Sequence, residues 1–389
     1  MSGDEPAGTV SELAWAIAER IRSGSPIGFD EFVAHALYAP GLGFYTSDQG
    51  DRGAGRRRDF LTSPEVGPLF GAIVARALDT WWEEMGRPNP YPVVEAGAGP
   101  GTLARAVLAA QPDCADALRL VLVEVGEPQG AAHPDDTESR ADLPVPGELG
   151  TGPVVVVANE LLDNLPFGLV ELVQPALEER PGAGGRQRED SGRAASWCEV
   201  LVDVAEAAAP DEPRLVERFA RLDPARQGWC WGRTGRTAPV GTRLPVQAEA
   251  AAWLGEALDL AAGGRVVVFD YASTTGELAR RPWTEWVRTY AGHARGGHPM
   301  EHPGAQDITC EVAVDQLATV ARPALDRTQA DFLRAHGLDE VVADGRRRWA
   351  EQGISGGLDA IAARSTITEA EALVDPAGLG AFRVLEWTA

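Results

Sequence analysis

Lysine is absent from this chain of 389 residues, and all 35 of its basic residues are arginine, set against 58 acidic ones. That exchange reads as compositional bias rather than as a functional device. The resulting formal charge of −23 disfavours a broad phosphate-contacting surface, and with it a nucleic-acid partner; an acidic protein instead draws cationic partners. Cysteine is scarce as well. Cys114, Cys198, Cys230 and Cys310 lie far apart with no C-x-x-C pair, which argues against a zinc site or a disulfide framework and fits a reducing cytoplasm. Long hydrophobic runs are also missing. Runs such as VVVVA at 154–158 fall far short of the roughly 20 residues that span a bilayer, so no membrane role is expected. Asp4, Glu5, Glu12 and Glu19 near the start argue against a secretory or mitochondrial leader.

What is present is ordinary in bulk and specific in detail. With 44% hydrophobic and 24% charged residues the composition is that of a globular protein, and the length suggests a main domain with a substantial insertion. The most informative stretch is YPVVEAGAGPGT at 91–102. An apolar strand runs into a glycine-rich turn, where Gly97, Gly99 and Gly101 let the backbone turn sharply and approach a ligand closely. A second strand at 119–123 ends in Glu124, just over 20 residues beyond the glycines, where a carboxylate suits a ribose diol. The dinucleotide fingerprint needs a further glycine at position 102, and Thr102 stands there. The pattern is E-x-G-x-G-x-G, opened by Glu95. A carboxylate beside the turn suits the ammonium and sulfonium of S-adenosylmethionine and repels a pyrophosphate. The residues therefore favour that cofactor over a nicotinamide.

Along the chain, apolar spacing predicts helices over 11–22 and 28–38, and a helix from Ser63 to about Met85. A buried strand at 154–158 ends in NELLDNLP; 167–173 and 197–204 read as strands, with a polar, mobile surface loop at 175–196 between them. A helix at 247–261 precedes a buried strand at 265–270. Helical patterns follow near 312–320, 328–335 and 359–372, and a strand at 382–387 closes the sheet. Residues 126–152 show little periodic signal. The expected division is 1–88 as a helical region with a cofactor-covering loop, 89–175 as the first half of the core, 176–262 as an insertion with a connecting helix, and 263–389 as the rest of the core. Glu95, Glu124 and the Asn159–Asp163 segment each follow a strand, so they should converge where ligands sit in open α/β sheets.

These residues belong to a wider set. FDEFVAHALYAPGLGFYT (29–46), DFLTSPEVGPLFG (59–71), EAGAGPGTL (95–103), LVE (122–124), ANELLDNLP (158–166), FDYAS (269–273), PGAQDITCEV (303–312), TQADFL (328–333) and DPAGLGAFRVL (375–385) occur in order. In them the chain resembles the MidA-like methyltransferases. The resemblance implies an α/β fold, a Rossmann-like class I methyltransferase sheet with an additional substrate-covering α+β region. It also implies methylation of a protein arginine, since the family's mitochondrial member dimethylates an arginine on a respiratory complex I core subunit. The chain departs from the family at Asn164, where Ala is usual, at Ala272, where Gly is usual, and at Gln247, where Glu is common. Those departures keep a small-molecule acceptor open as the alternative, beside a non-catalytic assembly factor that only binds the cofactor.

The expected cofactor contacts are Glu95, Gly97, Gly99, Gly101, Thr102, Leu103, Glu124 and Asn159. Thr62 and Ser63 either join them or cap the next helix. Glu160 and Asp163 are expected to hold the acceptor, because two carboxylates can fix a guanidinium plane bidentately. His293 matches a family histidine and is a candidate base or orienting group. His293, His298 and His302 stand at unpaired, Gly/Pro-rich spacing without the clustered acids of a metal site.

Overall fold

The computed structural model describes residues 12–47, 62–174, 194–206, 213–291, 294–352 and 357–389. These fall into two units. The sheet unit takes its described residues from Gln49–Asp163, Ala250–Ala272 and Leu317–Ala389, and the second unit from Met1–Asp48, Asn164–Glu249 and Ser273–Gln316. Sequence punctuation at 88, 175 and 262 marks loops along the chain, whereas unit membership changes near 48, 163, 249, 272 and 316.

In the sheet unit the strands are Tyr91–Ala96 (β1), Leu118–Val123 (β2), Glu138–Arg140 (β3), Val155–Asn159 (β4), Arg265–Asp270 (β5), Leu325–Thr328 (β6) and Arg383–Thr388 (β7). They lie side by side in the order β6-β7-β5-β4-β1-β2-β3. Neighbours from β5 through to β3 are parallel, while β7 runs antiparallel to both β5 and β6. All of β1 and the valines of β4 and β5 are buried, as expected for a sheet covered on both faces. Each such valine contributes roughly 1.5 kcal/mol by burial. Phe269 of β5 is wedged edge-on between Phe70 and Phe332, at 5.4 and 4.9 Å. From β1 the chain builds outward to β2 and β3, then returns to place β4 on the other side of β1. That reversal makes a switch point between the carboxyl ends of β1 and β4.

The single helix expected from Ser63 to Met85 is two, Ser63–Val66 (α1) and Pro68–Glu84 (α2). Pro68 disfavours the helical region for the residue before it, and Gly67 is extended there. The Glu369 carboxylate accepts from Leu69 N–H at 3.0 Å and so serves the new helix start. Residues 126–152, expected to be irregular, supply the edge strand β3, too short to show a period. The helical pattern near 312–320 resolves into the strand Val312–Ala313 and the four-residue helix Val314–Leu317.

The second unit carries the expected helices as Glu12–Ser23 and Phe29–Tyr38. The expected strands Gly168–Val173 and Ser196–Val204 pair antiparallel; residues 175–193 between them lie outside the described residues. Leu215–Arg221 and Arg243–Val246 extend this sheet. Charges at Glu217 and Arg243 hid the pattern of these two strands, yet both residues and Glu171 are largely buried, and Arg243 bonds both acids, at 2.6 and 2.8 Å.

Candidate functional site

The glycine turn follows β1. Gly97, Gly99 and Gly101 have φ of 68°, 52° and 75°, the left-handed region that side chains resist. Their surroundings differ. A Cβ on Gly97 would come within 2.9 Å of Leu161, and one on Gly101 would crowd Pro134, His133 and Leu122 at 3.1–3.3 Å. A Cβ on Gly99 would meet only Gln129 Oε1, at 3.5 Å. Gly99 thus faces open space, and the other two are packed. Helix Thr102–Ala109 (α3) starts directly after the turn.

Carboxylates surround this turn. Glu124 accepts hydrogen bonds from Gly99 N–H at 2.8 Å and from Gly126 N–H at 2.9 Å, and burial raises its pKa. One oxygen takes each bond, so lone pairs remain on both. Glu95 is 7% exposed. Burial pushes its pKa up to about 8, against an opposing hydrogen bond from Ala104 N–H in the first turn of α3. Leu103 packs its side chain into the apolar core, so only its backbone faces the turn. The Thr102 hydroxyl donates to Glu65 of α1 at 2.9 Å.

Across the switch point, β4 ends at Asn159. Its amide N–H donates to Glu160 at 3.2 Å, while Asn159 Oδ1 is buried with no partner among the described residues. Glu160 sits at φ 52°, a conformation held by its N–H bond to the Phe269 carbonyl at 2.8 Å. Its carboxylate also accepts from Ser63 N–H at 3.2 Å, and burial raises its pKa to about 7. Asp163 is buried in the 3-10 turn Leu162–Asn164.

Sequence reasoning therefore brings two groups together, Glu95 with Gly97, Gly99, Gly101 and Glu124, and Ser63 with Asn159 and Glu160. The Ser63 hydroxyl donates to Gln329 at 3.0 Å, and neither Thr62 nor Ser63 caps α1 through its side chain. His293 lies outside the described residues. Three residues escaped the sequence reading. Glu65 holds Thr102; Asp270 is bonded to the segment carrying Asp163. His133 accepts from or donates to Ser139 Oγ at 2.7 Å and bonds the Gly99 carbonyl at 2.8 Å. Since a carbonyl only accepts, Nε2 carries the proton and Nδ1 accepts from Ser139. Glu65 stood in the quoted DFLTSPEVGPLFG and Asp270 in FDYAS, whereas His133 stood in no singled-out motif.

The residues fit S-adenosylmethionine on their own chemistry. A buried orphan acceptor at Asn159, open space beside Gly99, and raised-pKa acids on both sides of the switch point suit a polar ligand that carries positive charge.

The comparisons agree. The model of a family described as "Putative S-adenosyl-L-methionine-dependent methyltransferase" matches residues 73–332, more than half of the chain, and the chain belongs to that family. Protein arginine methyltransferase NDUFAF7 homolog, mitochondrial, of Drosophila melanogaster is 26% identical over 77% of this chain and 68% of its own length. The Rattus norvegicus protein arginine methyltransferase NDUFAF7, mitochondrial, is 29% identical over 87% of this chain and 77% of its own. A Burkholderia thailandensis protein, solved bound to S-adenosyl-homocysteine, shares the fold at a TM-score of 0.75 and 24% identity, covering 100% of this chain and 95% of that one. The cofactor is S-adenosyl-L-methionine and the fold is that of a class I methyltransferase. The expected cytoplasmic location is overturned, because the curated relatives are named mitochondrial. Unpaired cysteines report only a reducing environment, and acids early in the chain carry no address.

Proposed function

We propose, with that family membership as premise, that this methyltransferase acts on an arginine side chain of a protein. The observation that carries the reading is Glu160, a half-buried carboxylate across the switch point from the glycine turn, with a pKa raised by desolvation to about 7. S-adenosylmethionine supplies a methyl group already activated on its sulfonium. Glu95, the glycine turn, Glu124 and Asn159 would hold it, Glu95 against its ammonium. Thr102 and the Leu103 backbone would border it, and Thr62 and Ser63 would close the site from α1. Glu160 and Asp163 would grip the acceptor guanidinium and direct a nitrogen lone pair at the methyl carbon. Methylation releases one proton from that nitrogen, and a carboxylate titrating near neutrality is suited to take it. Both the cofactor and the guanidinium are cations, which offsets the cost of keeping these acids buried.

The relatives named protein arginine methyltransferases support this acceptor. So do two of the three departures that kept a small molecule open. Asn164 donates its amide to Asp307 at 2.9 Å. Gln247 donates to the Glu311 carbonyl at 3.2 Å and accepts from Ala313 N–H. Both are structural bonds within the second unit. The test is transfer of tritiated methyl to arginine-containing peptides and to respiratory complex I core subunits, with lysine replacing arginine as control. Label that follows the arginine supports the reading. Label entering a small molecule alone overturns it.

A further inference from the structure

β5 and β4 are parallel neighbours whose paired register runs as far as Phe269 and Asn159. One residue later each strand does something different. β4 passes into the segment that carries Glu160 and Asp163, and β5 ends on Asp270, which is fully buried. Beyond the ladder the backbone N–H groups of that segment need new acceptors, since a buried unpaired donor is costly. Asp270 supplies them. One oxygen, Oδ2, accepts from Leu162 N–H at 2.9 Å and from Asp163 N–H at 3.2 Å. The other, Oδ1, accepts from Tyr271 N–H at 2.8 Å. The Phe269 carbonyl just before it holds Glu160 N–H. The end of β5 thus fastens the backbone of the proposed acceptor segment at Glu160, Leu162 and Asp163.

We propose that Asp270 is a positioning residue for methyl transfer: its buried carboxyl clamps the Leu162 and Asp163 amides and so aims the two acceptor carboxylates. This rests on the acceptor reading above. Burial and the nearby charge of Glu160 raise the pKa of Asp270, and the three backbone N–H bonds it accepts oppose that rise.

Two variants separate aim from fold. In Asp270→Asn one carbonyl oxygen still accepts from Leu162 and Asp163, and only the Tyr271 bond is lost. In Asp270→Ala the whole clamp is lost. The expected result is a kcat about a hundredfold lower for Asp270→Ala, the scale of a misplaced catalytic group, with Asp270→Asn in between. S-adenosylhomocysteine affinity should stay within about twofold of wild type in both. Amide hydrogen exchange at Leu162 and Asp163 should speed up in Asp270→Ala and stay slow in Asp270→Asn. Unchanged exchange in Asp270→Ala overturns the clamp. So does a kcat that falls only in step with cofactor affinity, which is the mark of a merely structural role. If the wild type labels no arginine peptide, the acceptor reading fails by itself, and the exchange measurement still decides whether Asp270 holds the segment.

Discussion

Glu217 in the second unit and Glu160 in the sheet unit are both carboxylates withdrawn from water, and they titrate at opposite ends of the range. Burial would raise Glu217, but ion pairing with His298 and Arg243 outweighs it and brings the group down to about 2. Glu160 receives only a backbone N–H and an Asn amide, burial dominates, and it rises to about 7. Glu95 behaves like Glu160, at about 8. A buried acid paired with arginine is spent on structure. A buried acid without a close cation is held ready for one that arrives with a ligand.

The largest effect expected from breaking this contrast is at Arg243. Arg243→Met leaves Glu171 buried without its cation and Glu217 with His298 alone, and should cost about 3–5 kcal/mol of stability. Calorimetric melting measures it, and cofactor affinity of the folded protein should be untouched. A melting temperature near wild type would show that the pair is hydrated. Gly99→Val should do the reverse. A side chain there meets little protein, so the left-handed backbone costs only about 1–2 kcal/mol, while S-adenosylhomocysteine affinity should fall about a hundredfold or more as the ligand's space fills. If the variant binds normally in titration calorimetry, the cofactor does not lie beside Gly99.

pH sharpens the comparison. The ligand's ammonium needs Glu95 ionised, so S-adenosylhomocysteine affinity should drop as pH falls from 8 to 6, by up to about tenfold per unit. Glu95→Gln should bind more weakly at pH 8 and lose that slope; a slope that survives removes Glu95 as the ammonium partner. Stability carries opposite signs in the two units. The raised pKa of Glu95 contributes stability that is fully present below about 4.5 and lost as pH climbs through about 8. Glu217 contributes stability above about 4.5 that is lost as pH falls toward about 2. Hydrogen exchange in the ligand-free protein should show β1 loosening as pH rises from 5 to 8, and Leu215–Arg221 loosening below about pH 4. The smallest effect is at His133. His133→Ala frees the Gly99 carbonyl and Ser139 at a half-exposed site, for about 1 kcal/mol and a severalfold weaker cofactor. An unchanged dissociation constant would mean that the turn holds its shape alone.

Much of this was legible in the chain, for reasons that are local. The E-x-G-x-G-x-G turn declares its backbone because only glycine takes those angles freely, and VVVVA declares a strand buried on both faces. Gly67-Pro68 also carried its own helix break, which the apolar period through 63–85 concealed. Glu217 and Arg243 had no such signal. A charged residue on a strand reads as solvent-facing until its partner, here 26 residues away in sequence, is known to lie beside it.

By itself the sequence determined the cofactor turn, the acids at the carboxyl ends of β1, β2 and β4, and the alternation of strands and helices that makes a parallel sheet. Each follows from residue type and short spacing. Only the tertiary structure decided which acids go unpaired and which are neutralised, that His133 secures Gly99, and that Asp270 reaches back to Leu162 and Asp163 across about 107 residues. Burial and partner are properties of the packed chain, and a carboxylate's charge depends on both.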